Sequence, residues 1–192
     1  AWSREWFPEL IVGAVGASAP VLAKTDFYEY MKVVEDVLQR HSQKCYDRTA
    51  GAFDSLYKLT QSPTGRANIQ DKFDLFPKWT ADPNISVDPL DISEVFNGLF
   101  GMYADTVQYN AVDWSTVAHL CSFFENDAVD SLDALVALKN DQYGNDKLLS
   151  SYDAVVNELT DMAKHIDGHA GTQYTDVQLA EPLWVWQTCN EF

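Results

Sequence analysis

Apolar positions recur at helical spacing through most of the chain. Phe27, Tyr30, Met31, Val34, Val37, Leu38 and His41 share one face of a 3.6-residue repeat and predict a helix ending near His41. A second helix is predicted from about Lys44 to Leu59, with Cys45, Thr49, Ala52, Leu56 and Leu59 inward. Ser62-Pro63-Thr64-Gly65 breaks it, and a short helix near Arg66 to Phe73 follows. Pro77 to Pro89 reads as a proline-punctuated loop. Asp91 or Ser93 should start the next helix, whose apolar face is Val95, Phe96, Leu99, Met102, Tyr103 and Val107. Asp113 should cap another, with Trp114, Val117, Ala118, Cys121 and Phe124 inward. Two more helices are predicted near Asp127 to Leu138 and Asp146 to Lys164, with Gly168 to Gly171 as loop.

The two ends read differently. Trp2, Trp6 and Leu10 share a helix face that Pro8 and the residues after it close. Leu10 to Val15 is a continuous apolar run between breakers, the pattern of a buried parallel strand. Thr25 or Asp26 then caps a helix, with Glu29 completing a capping box. Pro182 leads into Leu183-Trp184-Val185-Trp186, a short apolar run read as a return towards a sheet. The predicted order is strand, an insertion of roughly six helices, and a return, as in part of an α/β fold entered partway through.

Composition narrows the function classes. At 46% hydrophobic and 13% aromatic residues, the 192-residue chain can bury a core. The formal charge of −16 makes nucleic acid an unsuitable partner, because phosphate binding needs a basic face. Between Trp79 and Leu138 there is no Lys or Arg but ten acids. That stretch is either a solvated face or a field for cationic peptides. No stretch has the roughly 18 apolar residues of a membrane span. The chain holds three cysteines, Cys45, Cys121 and Cys189, with no C-x-x-C pair that would suggest zinc. Asn84-Ile85-Ser86 is an N-glycosylation sequon in a turn-rich stretch and marks Asn84 as a candidate acceptor.

Three separated motifs carry a resemblance. The first is the AW…PEL-IVGAVGASAPV…DFYEY segment between Ala1 and Tyr30. The second is Val107-Gln108-Tyr109-Asn110, and the third Trp186-Gln187-Thr188-Cys189-Asn190-Glu191-Phe192. In this order they resemble the serine carboxypeptidase family of prolylcarboxypeptidase, dipeptidyl-peptidase II and thymus-specific serine protease, nearest its thymus-specific branch. Gln61 to Pro89 matches poorly.

The resemblance implies an α/β-hydrolase fragment carrying a mainly α-helical inserted lid. Residues 1–24 would belong to the hydrolase core, 25–179 to the lid and 180–192 to the return into the core. The chain would be an internal piece of a secreted or lysosomal serine exopeptidase acting on proline-containing peptides. It would need no cofactor and no metal, would bind peptide substrates, and could form a homodimer. The nucleophilic Ser would lie about seven residues before Ala1, and the Asp and His beyond Phe192, so no catalytic residue is in this chain. The resemblance pairs Cys45 with Cys121 and sends Cys189 to a cysteine outside the chain; the residues alone leave buried free thiols as the alternative. A further bridge usual in the family would fall on Phe76 and on Leu148 or Leu149, where both ends are apolar here. Gln187 and Thr188 would lie near the substrate pocket, unless their motif is kept for the Cys189 bridge.

Other residues invite chemistry that their context argues against. Gly16-Ala17-Ser18-Ala19-Pro20 is a near miss to a nucleophile elbow, but proline replaces the last glycine. His165 and His169 are four apart with Gly168 between them and no H-E-x-x-H glutamate, which fits a surface pair at a helix end better than a metal site. Asp26 and Glu29 are explained by a cap. Trp184 and Trp186 suit alternate positions on a buried strand better than a stacking surface. Two readings of other classes stand beside the peptidase. One is a non-catalytic secreted homologue acting as a binding or surface protein. The other is a free-standing helical interaction protein, which conflicts with the tryptophans clustered at both ends.

Overall fold

A computed structural model describes residues 2–17, 19, 22, 24–76, 78–79, 82, 87–110, 116–144, 147–166 and 175–191. These form helices α1 (Trp2–Trp6), α2 (Glu29–His41), α3 (Gln43–Thr60), α4 (Pro63–Phe73), α5 (Pro89–Gln108), α6 (Val117–Ser122), α7 (Ser131–Tyr143), α8 (Tyr152–Ile166) and α9 (Asp176–Glu191). Two short strands, β1 (Leu75–Phe76) and β2 (Leu148–Leu149), pair in parallel. The chain divides into two units, Tyr28–Glu158 and Ala1–Phe27 with Leu159–Phe192.

The first unit is a helical bundle built on α3. Cys45, Thr49, Ala52, Leu56 and Thr60 form its buried stripe, at the three- and four-residue spacing that lines up one helix face. That helix packs against α2, α4 and α7. Val34 and Leu38 of α2 and Leu132, Leu135 and Leu138 of α7 belong to the same core. Leu56 is wholly buried, so its truncation to Ala would cost about 2–5 kcal/mol.

Local chemistry sets the helix starts. Ser42 is the single residue between α2 and α3; its hydroxyl accepts from the Cys45 N–H at 3.2 Å and donates to Glu125 at 2.6 Å. Ser62 accepts from the Gly65 N–H, with Pro63 at the first helical position, where its missing N–H costs nothing. Asp88, Thr116 and Asp130 cap α5, α6 and α7. Helix α5 therefore starts at Pro89 rather than at Asp91 or Ser93. Asp113 and Trp114 lie outside the described residues, and the observed cap of α6 is Thr116.

Three expectations at the chain ends are corrected. Leu10 to Val15 contains no strand, and Val12 and Val15 are almost fully exposed. A parallel strand exists only within a ladder, and among the described residues no segment pairs with this one. Asp26 does not cap α2: it sits at φ 54°, and the helix begins at Glu29 behind Tyr28 with no side-chain cap. Leu183-Trp184-Val185-Trp186 is helical, part of α9, which continues through Pro182; Trp184 and Trp186 are 57% and 61% exposed. Four apolar residues fit either structure, and the helix-forming residues before them decide the outcome.

Candidate functional site

The disulfide is the firmest link in the bundle. Cys45 and Cys121 are joined across 76 positions, with Cα atoms 5.3 Å apart, as the resemblance implied. Cys45 lies in the first turn of α3 and Cys121 near the end of α6, both buried. Cys189 is free and exposed on α9.

Beside Cys189, Gln187 is exposed and Thr188 half-buried, its hydroxyl donating to the Val185 carbonyl at 2.9 Å. Asn190 donates back to the Trp186 carbonyl at 2.7 Å. The described part of the third motif, Trp186 to Glu191, thus closes one helix, which spreads its residues around the helix axis. Asn84 and Ser18 lie outside the described residues, as does His169; His165 is in the last turn of α8.

The second motif has a structural explanation. Gln108 accepts from the Tyr30 hydroxyl of α2 and donates to Tyr109 at 3.1 Å. Asn110 accepts from the Val117 N–H at 2.9 Å, at the start of α6. Val107-Gln108-Tyr109-Asn110 therefore ties α5 to both α2 and α6.

The acidic stretch is partly neutralised from elsewhere. Asp127 meets Lys44 at 2.9 Å and Arg48 at 3.5 Å, and Asp133 meets Lys72. The Lys44 ammonium holds the Asp127 carboxyl below its ordinary range. Arg48, mostly buried, also donates to the Val129 carbonyl. Counting charge along the chain misses these partners, because α3 and α4 supply them across the fold.

One arrangement resembles part of a catalytic dyad. His119 Nε2 lies 2.8 Å from Asp141 Oδ2, and the ring meets Phe123 edge-on at 5.3 Å. The hydroxyl next to it in helix register, Ser122, donates instead to the His119 carbonyl at 2.6 Å. The pair is surface-exposed and joins α6 to α7. Among the described residues no group of three or more His, Cys, Asp or Glu could hold a metal. Among them, too, no helix is long and apolar enough to cross a membrane.

Sequence reading missed one feature. Between α2, α3 and α5 lies an apolar cavity of about 240 Å³. It is lined by Thr49 and Tyr103, whose hydroxyls are buried without a hydrogen-bond partner of normal geometry. Burial pushes the Tyr103 phenol well above its ordinary value, and the neighbouring Thr49 hydroxyl pulls weakly the other way. Both residues fall on inward stripes, so the pattern located them but not the cavity they help to line.

A family signature described as Serine carboxypeptidase S28 matches residues 1–192. Two Caenorhabditis elegans proteins are similar over the whole chain. "Putative serine protease F56F10.1" is 32% identical over 206 residues, and "Putative serine protease K12H4.7" is 29% identical over 199. The chain spans 36% of the length of each of these relatives. No solved structure matches it. With the family signature covering every residue, this chain belongs to the serine carboxypeptidase S28 family.

Proposed function

We propose that this chain is the lid-bearing central part of a serine exopeptidase that cleaves proline-containing peptides in a secreted or lysosomal setting. The observation that carries the reading is the family signature over residues 1–192, set on a chain whose larger unit is a disulfide-braced helical bundle. Such a bundle suits a lid over an α/β-hydrolase core, where it would limit access to small or unstructured peptides and help exclude water.

In this reading the chemistry is acyl transfer. A serine attacks the peptide carbonyl, a histidine carries the proton, and backbone N–H groups hold the oxyanion. All three triad members would come from outside the chain. Residues 1–24 and 180–192 would belong to the core, with Gln187 and Thr188 near the pocket. Exposed Cys189 would bridge to a cysteine elsewhere, and Asn84 would carry a glycan. The disulfide between α3 and α6 and the sequon support an oxidising compartment.

The test is hydrolysis by the full-length natural protein. It should release either a C-terminal residue after proline or an N-terminal dipeptide from short peptides, and a serine-directed phosphonate should stop it. Failure to hydrolyse any such peptide, by well-folded protein, would support the non-catalytic homologue.

A further inference from the structure

We propose that the cavity between α2, α3 and α5 binds a small organic cation, one compact apolar ring carrying one ammonium group. Val34 and Leu38 of α2, Phe53 of α3 and Phe100 of α5 supply apolar walls. The Phe53 ring centroid lies 4.9 Å from that of Phe100 and 5.6 Å from that of Tyr103, so one wall is an aromatic cluster. At about 240 Å³ the space exceeds the ~150 Å³ of an apolar cavity that takes up benzene. The hydroxyl oxygens of Thr49 and Tyr103 are buried out of an occupant's reach, so these walls offer it carbon surface and no hydrogen bond. A polar group placed against them would lose its water and gain no partner, which selects an apolar ring for the body of the ligand.

The charge of the ligand is set at the mouth. Glu35 lines the cavity and is exposed. Its Oε2 accepts from the Lys32 ammonium at 3.0 Å, and the same ammonium meets Asp36 at 3.2 Å. Two carboxylates therefore share one cation, and the three groups together carry a net negative charge. A carboxylate can accept from several donors at once. Glu35 can thus receive a ligand ammonium beside that of Lys32.

Carboxylate and aromatic cluster line one cavity, so a single molecule can engage both. The faces of the aromatic rings add attraction for a cation close to them. An anion of the same shape meets like charge at the mouth, and a neutral ring gains nothing from Glu35. Lys32 competes with the ligand for that carboxylate, so its removal should favour binding. Ala50 also lines the cavity and is small and exposed, so a larger residue there can obstruct entry without disturbing the core.

The experiment is fluorine NMR titration of the full-length natural protein with two probes of matched shape, 2-(4-fluorophenyl)ethylamine and 2-(4-fluorophenyl)ethanol. The amine should bind about fivefold more tightly than the alcohol, the ratio that one solvent-facing ion contact with aromatic support supplies. Glu35→Gln should erase that ratio while the alcohol still binds, and Lys32→Gln should enlarge it about twofold. Ala50→Phe should weaken both probes about tenfold or more, with circular dichroism and thermal unfolding confirming that each variant folds. Absence of amine binding to the folded protein overturns the proposal. So does equal binding of the two probes, and so does an amine preference that survives Glu35→Gln. Amine binding that Lys32→Gln weakens, or that Ala50→Phe leaves unchanged, overturns it as well.

Discussion

Cys45 and Cys121 stand 76 positions apart in sequence, yet the disulfide between them fixes the first turn of α3 to the end of α6. Between them the chain builds α4, β1 and α5, so the bridge closes a loop that contains much of the bundle. Closing a loop of that length restricts the unfolded chain most, and a bridge of this kind typically contributes about 2–4 kcal/mol. Replacing both cysteines by Ser should lower unfolding free energy by that amount in denaturant titration. An unchanged denaturation midpoint would contradict the bracing role.

Two glycines separate close approach from open space. A Cβ at Gly65 would lie 2.1 Å from the Leu59 carbonyl oxygen, where the chain turns from α3 into α4. Gly51, inside α3, has nothing within 4 Å. Gly65→Ala should destabilise by at least about 1–3 kcal/mol, since backbone must move. Gly51→Ala should stabilise by about 0.5–1 kcal/mol through helix propensity. Thermal unfolding of the two single variants checks both signs.

Strand register makes a prediction about a bridge the chain lacks. The resemblance places the ends of a second disulfide at Phe76 and at Leu148 or Leu149. In the fold, β1 and β2 lie side by side with Leu75 opposite Leu148 and Phe76 opposite Leu149. Paired positions on neighbouring strands are within disulfide reach. Phe76→Cys with Leu149→Cys should therefore lose both thiols on oxidation, read by thiol titration of the folded protein. Two thiols that persist under oxidising conditions would contradict the register.

Tyr103 predicts a loss of stability in alkali. Its folded-state pKa is raised above the ordinary 10.0, chiefly by burial. A raised pKa gives stability that is complete below the unfolded value and lost as pH climbs past it, because only the unfolded chain can release the proton easily. One such proton contributes a slope of up to about 1.4 kcal/mol per pH unit. Between pH 10 and 11.5, Tyr103→Phe should flatten the decline in unfolding free energy by up to that slope. An identical pH profile for variant and wild type would show that Tyr103 does not govern it.

The helical part of this fold was legible because its residues obey one period. The α3 stripe of Cys45, Thr49, Ala52 and Leu56 reads directly from the chain, and Ser62-Pro63 marks the break as well as the next cap. The ends were not legible, because periodicity does not reveal the partners a strand requires. Leu10 to Val15 has the composition of a buried strand, yet the described residues place no neighbouring strand beside it. Leu183 to Trp186 was too short to separate strand from helix. Partners distant in sequence were also invisible: Lys44 for Asp127, Tyr30 for Gln108, and the cavity lined by α2, α3 and α5 all depend on packing. The motif Val107 to Asn110 could be seen, but its work of joining three helices emerged only from its hydrogen bonds.

The central claim is that this chain is the lid-bearing part of a serine hydrolase whose nucleophile lies elsewhere. The most direct measurement treats the full-length natural protein with a fluorophosphonate probe and identifies the labelled peptide by mass spectrometry. The account predicts a single label, on a serine a few residues upstream of Ala1. A label on Ser18 would move the nucleophile into this chain, and no label on folded protein would contradict the assignment as a hydrolase.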